Sequence, residues 1–192
     1  LEDEMQQFWT DRQRGEQDRH MEEWEADQER RRQEEGEYFD EGAYQFEKGH
    51  MERRKQLEER RIRLDEKMHE AFRELDGKMQ GPAADRERRA IERRFEALRE
   101  ELEAEFRALE DEMRQFWTDR QRGEQDRQMQ EWEAEQERRR QDEGEYFDEE
   151  AYQFEKGHME RRKQLEERRI RLDEKMHEAF RELDGKNLPG PE

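Results

Sequence analysis

The chain has 192 residues, of which 59 are acidic and 40 are basic, and it contains no cysteine. Charged residues make up 52% of the sequence and hydrophobic residues 28%. An average globular domain is about 25% charged and about 45–50% apolar. So few apolar side chains argue against a compact enzyme domain with an enclosed pocket, and they favour long helices that bury a narrow apolar stripe.

The net charge of −19 disfavours nucleic acid or an anionic membrane as a partner. No apolar run approaches the roughly 20 residues that span a bilayer. The absence of cysteine excludes disulfides, thiolate metal sites and cysteine nucleophiles. The sequence begins at Leu1 in the middle of a repeating pattern, so we expect the natural N-terminus to lie upstream. The sequence does not establish a location in the cell, and a cytoplasmic one is favoured.

A long internal repeat dominates the sequence. Residues 1–78 recur as residues 109–186 with six differences in 78 positions, so the chain holds about 1.8 copies of a 108-residue unit. Such similar copies indicate recent duplication or deliberate construction. The differing pairs are Gln6/Arg114, His20/Gln128, Glu22/Gln130, Asp27/Glu135, Glu34/Asp142 and Gly42/Glu150.

The strongest break in the pattern surrounds Gly81 and Pro82, because glycine followed by proline stops a helix, and Asp85 can cap the helix that follows. This break predicts four segments. They are a partial first unit over residues 1–78 that lacks its first helix, a Gly/Pro break over 79–84, a complete second unit over 85–186, and a non-helical tail over 187–192.

Apolar residues recur every three or four positions after Asp85 and predict a helix over 86–121. A second stripe predicts a helix over 152–184, and the similar lengths favour antiparallel packing. The first stripe is Ile91, Phe95, Leu98, Leu102, Phe106, Leu109, Met113, Phe116 and Trp117; the second is Met159, Leu165, Leu172, Met176, Phe180 and Leu183, with Ile170 beside it.

The polar stretch over 118–145 allows two arrangements. The first helix continues to about Glu143, which we favour because a lone glycine costs a helix only about 1 kcal/mol. Alternatively, it folds back near Gly123 and gives a three-helix repeat. Either way the fold class is all-α: an elongated helical repeat of long amphipathic helices, packed as an antiparallel hairpin, a three-helix bundle or a coiled coil.

Acidic residues cluster around Gly36, and the cluster recurs at 142–149. The spacing does not match an EF-hand loop. We favour a helix-breaking corner that Gly36 opens and that Tyr38, Phe39, Tyr44 and Phe46 pack, and weak multisite binding of divalent cations is the alternative. The carboxylates of that alternative are Glu34, Glu35, Glu37, Asp40, Glu41, Glu143, Glu145, Asp148, Glu149 and Glu150.

Aromatic residues near the corners are candidates for binding a partner, since aromatic side chains concentrate at interfaces. Trp24, in a stretch of charge, either contacts a neighbouring helix or anchors another chain. Asp65 and His69 lie four residues apart, as do Asp173 and His177, and these pairs are expected on solvated faces rather than at a metal site. The aromatic candidates are Trp24, Trp132, Tyr38, Phe39, Tyr146 and Phe147.

The sequence contains no glycine-rich phosphate loop, nucleophile elbow or HExxH pattern, so neither catalysis nor a cofactor is expected. We expect a non-enzymatic structural repeat: a helical spacer or coiled-coil scaffold, cytoskeletal or filament-like. Its partners would be further copies, as a homodimer or array, or another helical protein. The alternative is an acidic repetitive surface that binds metal cations, a mineral face or a basic protein; a display array is a third possibility.

Overall fold

The computed structural model describes residues 1–186, so the tail predicted over 187–192 lies outside the described residues. The described range is helical and contains no strand, which confirms the all-α fold class. None of its helices is long and apolar enough to cross a membrane. The helices are α1 (Glu2–Glu35), α2 (Glu41–Lys78), α3 (Pro82–Glu143) and α4 (Glu149–Lys186), with 3₁₀ turns at Gly36–Tyr38 and Gly144–Tyr146.

Helix α3 is continuous over 62 residues, which confirms the longer of the two predicted arrangements. Gly123 lies in its interior, where the missing side chain faces open space. The helix begins at Pro82, earlier than predicted, because proline's fixed φ suits the first helical position. The non-helical link is therefore shorter than the predicted break over 79–84, and Asp85 lies within the first turn rather than before it.

The two glycine corners have the same geometry. Gly36 and Gly144 adopt φ angles of 57° and 58°, which favour glycine. After each turn, a carboxylate caps the next helix: Asp40 accepts a hydrogen bond from the Ala43 amide at 3.0 Å, and Asp148 does the same in the second copy. The predicted helix-breaking corner is confirmed, but the prediction that Tyr38 packs it is wrong, since Tyr38 is 84% exposed.

The first compact unit, Leu1–Met113, contains three helical segments, each antiparallel to the next along the chain. Helix α2 lies between α1, which it contacts through the Glu59–Arg14 pair, and the first half of α3, where Arg61 lies over the ring of Phe106. The buried apolar residues of this unit are Ala43, Ile62, Leu75, Phe95, Leu102 and Leu109.

The second unit begins at Arg114, inside α3. Its described part is an antiparallel hairpin in which the second half of α3 contacts α4 through Arg122 and Glu167. Hairpin and three-helix packing therefore both occur. The compact units do not divide at the predicted break over 79–84, because residues 82–113 pack on α2 of the first copy.

We predict opposite effects of alanine at two glycines. Gly36→Ala should destabilise the chain by about 1–3 kcal/mol, since a side chain is strained at this positive φ. Gly123→Ala should stabilise it by about 0.5–1 kcal/mol, because alanine favours a helix interior. Urea unfolding of both variants measures the difference. A destabilised Gly123→Ala variant would show that α3 is not a continuous helix at this point.

Candidate functional site

The chain contains two antiparallel hairpins, one of α1 with α2 and one of the second half of α3 with α4. A ladder of ion pairs joins the two helices of each hairpin. Arg14 donates to both carboxylate oxygens of Glu59 at 2.8 and 2.9 Å, and Lys55 Nζ lies 2.6 Å from Asp18. The hydrogen bond from Arg14 lowers the pKa of Glu59. Exposed pairs contribute only about 0–1 kcal/mol each, so the ladder fixes register more than it adds stability. The second copy repeats it with Arg122–Glu167 and Lys163–Asp126.

A cleft of about 480 Å³ between α1 and α2 is lined by ladder residues, among them Arg14, Asp18, Lys55 and Glu59. Its two carboxylates are paired with basic side chains, Glu59 with Arg14 and Asp18 with Lys55. These pairs hold α1 against α2.

An aromatic stack closes each hairpin near its corner. Trp24 lies parallel to Tyr44 with ring centroids 5.5 Å apart, and Phe39 contacts Tyr44 at 6.0 Å. The guanidinium of Arg32 lies 4.8 Å from the Tyr44 ring centroid. The Tyr44 hydroxyl donates to Glu25 at 2.9 Å, and this hydrogen bond raises the pKa of Tyr44. Trp132, Tyr152, Phe147, Arg140 and Glu133 repeat the arrangement in the second copy.

The aromatic candidates for partner binding therefore fall into two groups. Trp24 and Phe39, like their counterparts Trp132 and Phe147, are half-buried in contacts within the hairpin. Such contacts account for a tryptophan in a charged stretch without an outside partner. Tyr38 and Tyr146 are 84% exposed, so these two remain available for contacts with another molecule.

The acidic corners keep their carboxylates apart. Asp40 caps α2, Glu41 lies 3.1 Å from Arg32, and Glu35 lies 3.6 Å from Arg31. Among residues 1–186, no three His, Asp or Glu side chains are grouped so that they could hold a metal ion. In the second copy, Asp148, Glu149 and Glu143 are engaged in the same way, whereas Glu34, Glu37, Glu145 and Glu150 are exposed.

The contact between α2 and residues 82–113 is a second helix–helix interface with its own charge pattern. Arg88 lies 2.6 Å from Asp76 and stacks over Phe72 at 5.2 Å. Arg99 lies 3.6 Å from Asp65. Towards the N-terminal end of α2 the charges are reversed, so that arginines of α2 pair with glutamates of α3. Those pairs are Arg61–Glu103, Arg60–Glu105 and Arg53–Glu112.

His50 occupies a buried position of this interface. It is 7% exposed, and its Nε2 atom is buried without a hydrogen-bond partner. Burial, together with the positive charges of Arg54 and Arg53, lowers the pKa of His50. Residues 82–113 cover this position, whereas the equivalent His158 in α4 is exposed. The prediction that His69 and His177 lie on solvated faces is confirmed, since both are exposed.

The apolar stripe predicted for the last helix is covered in α2 but open in α4. Residues 43–78 and 151–186 are identical in sequence, yet Leu75 is 7% exposed and its counterpart Leu183 is 51% exposed. Ile170, which the sequence placed beside the stripe, is buried at 6%. The open side chains of α4 are Phe154, Leu165, Leu172, Met176, Phe180 and Leu183, which are 51–68% exposed.

Comparisons with protein families, with curated proteins and with solved structures give no match to this chain. The candidate site is therefore defined by the geometry of the chain itself. It is the set of helix faces that make, or leave open, contacts with other helices.

We predict that His50 makes stability depend on pH. Because its pKa is lowered in the folded state, its contribution is complete above the ordinary histidine value of about 6.5 and is lost as pH falls through the lowered pKa. Urea unfolding between about pH 5 and pH 8 should show this slope, and His50→Gln should reduce it.

His158→Gln is the matched control, because the two histidines share the same sequence surroundings and His158 is exposed. Its pH slope should equal that of the unmodified chain. Equal slopes in both variants would contradict a buried His50 with a lowered pKa.

Proposed function

We propose that this chain is a non-enzymatic structural protein, a helical spacer or scaffold that associates with other helices. The observation that carries the proposal is that one hairpin is built twice. The Arg14–Glu59 hydrogen bond of 2.9 Å recurs at 2.9 Å in Arg122–Glu167. The Trp24–Tyr44 stack of 5.5 Å recurs at 5.4 Å in Trp132–Tyr152. Preserved helix–helix geometry, rather than a preserved reactive group, is what a structural repeat requires.

The two-sided packing of α2 supports the same proposal. One side of α2 contacts α1 through Glu59, and the other contacts residues 82–113 through Arg61 and Asp65. Repeat proteins grow by stacking such units, so that each unit contacts its neighbours. A cytoskeletal or filament-like role is the form of scaffold that we propose, with homodimers or arrays as the assembled state.

A second candidate function is an acidic surface that gathers cations, a mineral face or a basic protein. It is favoured by the exposed carboxylates of both corners, Glu34 and Glu37 in one and Glu145 and Glu150 in the other. Repetition makes weak binding effective through avidity. The change from Gly42 to Glu150 adds one further carboxylate to the second corner.

Sedimentation equilibrium and circular dichroism, in chelator and in millimolar calcium, distinguish the two functions. For a scaffold, we predict that the average mass rises with protein concentration and that helix content is the same in both buffers, because the hairpins need no ion. A chain that stays monomeric at every concentration in chelator and assembles only in calcium would contradict the scaffold.

A corner variant gives the matched control. Replacing Glu34, Glu37, Glu145 and Glu150 by glutamine removes the exposed carboxylates and leaves the capping and paired ones in place. The scaffold predicts unchanged association. Loss of association in this variant would favour the cation-binding surface.

A further inference from the structure

Helices α2 and α4 form an internal comparison, because residues 43–78 and 151–186 are identical in sequence and differ only in their surroundings. Both use one side for the hairpin partner, where Ile62 and Ile170 are buried at 4% and 6%. In α2 the other side is covered by residues 82–113, whose Phe95, Leu102 and Leu109 are 3–5% exposed. Within residues 1–186, no segment covers that side of α4.

The uncovered side of α4 carries apolar residues whose counterparts in α2 are half-buried or, at Leu75, buried. We name it the α4 open face and define it by Phe154, Leu165, Leu172, Met176, Phe180 and Leu183. Single exposed apolar residues are ordinary, but six along one face of a chain that is only 28% hydrophobic indicate a binding surface.

Charged residues beside the α4 open face lack the ion pairs that the equivalent residues of α2 make with α3. In α2, Arg60 and Arg61 pair with Glu105 and Glu103, and Asp65 pairs with Arg99. The equivalent residues of α4, Arg168, Arg169 and Asp173, form no ion pair among residues 1–186. The same holds for Asp184, whose counterpart Asp76 pairs with Arg88.

The order of these charges along α4 restricts what can cover it. Basic residues, Arg168 and Arg169, come first, and acidic residues, Asp173 and Asp184, follow. A nucleic acid or an anionic lipid surface would meet the arginines favourably but the aspartates unfavourably. A helix lying antiparallel, with arginines in its first half and glutamates in its second half, satisfies both ends.

We propose that the α4 open face binds, in trans, an antiparallel amphipathic helix with the residue pattern of segment 82–113. The partner inserts residues equivalent to Phe95, Leu102 and Leu109 against the open face. Its charges pair in the order seen on α2, with an arginine like Arg99 at Asp173 and one like Arg88 at Asp184. The inference rests on the proposed scaffold function and names the partner that the scaffold takes.

A labelled synthetic peptide of residues 82–113, titrated with the complete chain and followed by fluorescence anisotropy, tests the proposal. We expect saturable binding of one peptide per chain. The double variant Leu172→Gln/Met176→Gln should weaken binding by at least about tenfold, since it removes two side chains that the peptide buries. Met5→Gln is the control, because Met5 is also an exposed methionine, at 65% against 52% for Met176, but lies on α1.

Charge reversal tests the register. Arg99→Glu in the peptide should weaken binding by up to about fivefold, and Asp173→Arg in the chain should restore it. Asp184→Arg should not rescue this peptide but should rescue the peptide carrying Arg88→Glu. Such pairwise rescue cannot arise from loss of folding, because it is a recovery of binding in the substituted chain.

Three results would overturn the proposal. They are no saturable binding, equal binding to the double variant and the unmodified chain, or recovery of binding that is the same whichever aspartate is replaced. Concentration-dependent self-association that the double variant abolishes, without peptide binding, would assign the face to a second copy of α4 instead. Failure here leaves the scaffold's own test unaffected, because mass and helix content in chelator and calcium are measured without the peptide.

Discussion

The antiparallel contact within each hairpin is the interaction on which the rest of the structure depends. Arg14 and Glu59 set its register, and the Trp24–Tyr44 stack closes it beside the glycine corner. The chain is only 28% hydrophobic, so each helix has a narrow apolar stripe, and tertiary packing of that stripe supplies most of its stability. Helix α2 packs on both of its sides, through Glu59 on one and Arg61 on the other. The hairpin orients α2 so that the second side is presented to residues 82–113, and it orients α4 in the same way with that side uncovered.

The sequence predicted the helical class, the continuity of α3 through Gly123 and the corner at Gly36, because helical periodicity and glycine signals are local. It failed where burial depends on a neighbour. Leu75 and Leu183 stand in the identical segments 43–78 and 151–186 and have opposite exposure, so the apolar pattern of the helix itself does not separate them. The same reason explains why His50 is buried and its counterpart in the second copy, His158, is exposed. Thr10 and Gln28 were missed as buried residues because polar side chains give no signal in an apolar pattern.

The proposed scaffold function follows from how these contacts combine. The ladder, the stack and the α2 interface all serve helix–helix recognition, and the carboxylates with the clearest geometry are engaged in capping or in pairing with arginine. Register comes from charge and stability from the apolar stripes, so copies of a helix can distinguish a correct neighbour from a shifted one. The α4 open face extends that recognition beyond the chain.

Amide hydrogen exchange, measured residue by residue by nuclear magnetic resonance, tests most directly the claim that neighbours rather than local sequence set the stability of these helices. The account predicts slower exchange over residues 62–76 of α2 than over the identical residues 170–184 of α4, because only α2 is covered on both sides. The comparison is made at a concentration where the chain is monomeric. Equal protection of the two segments would contradict the account.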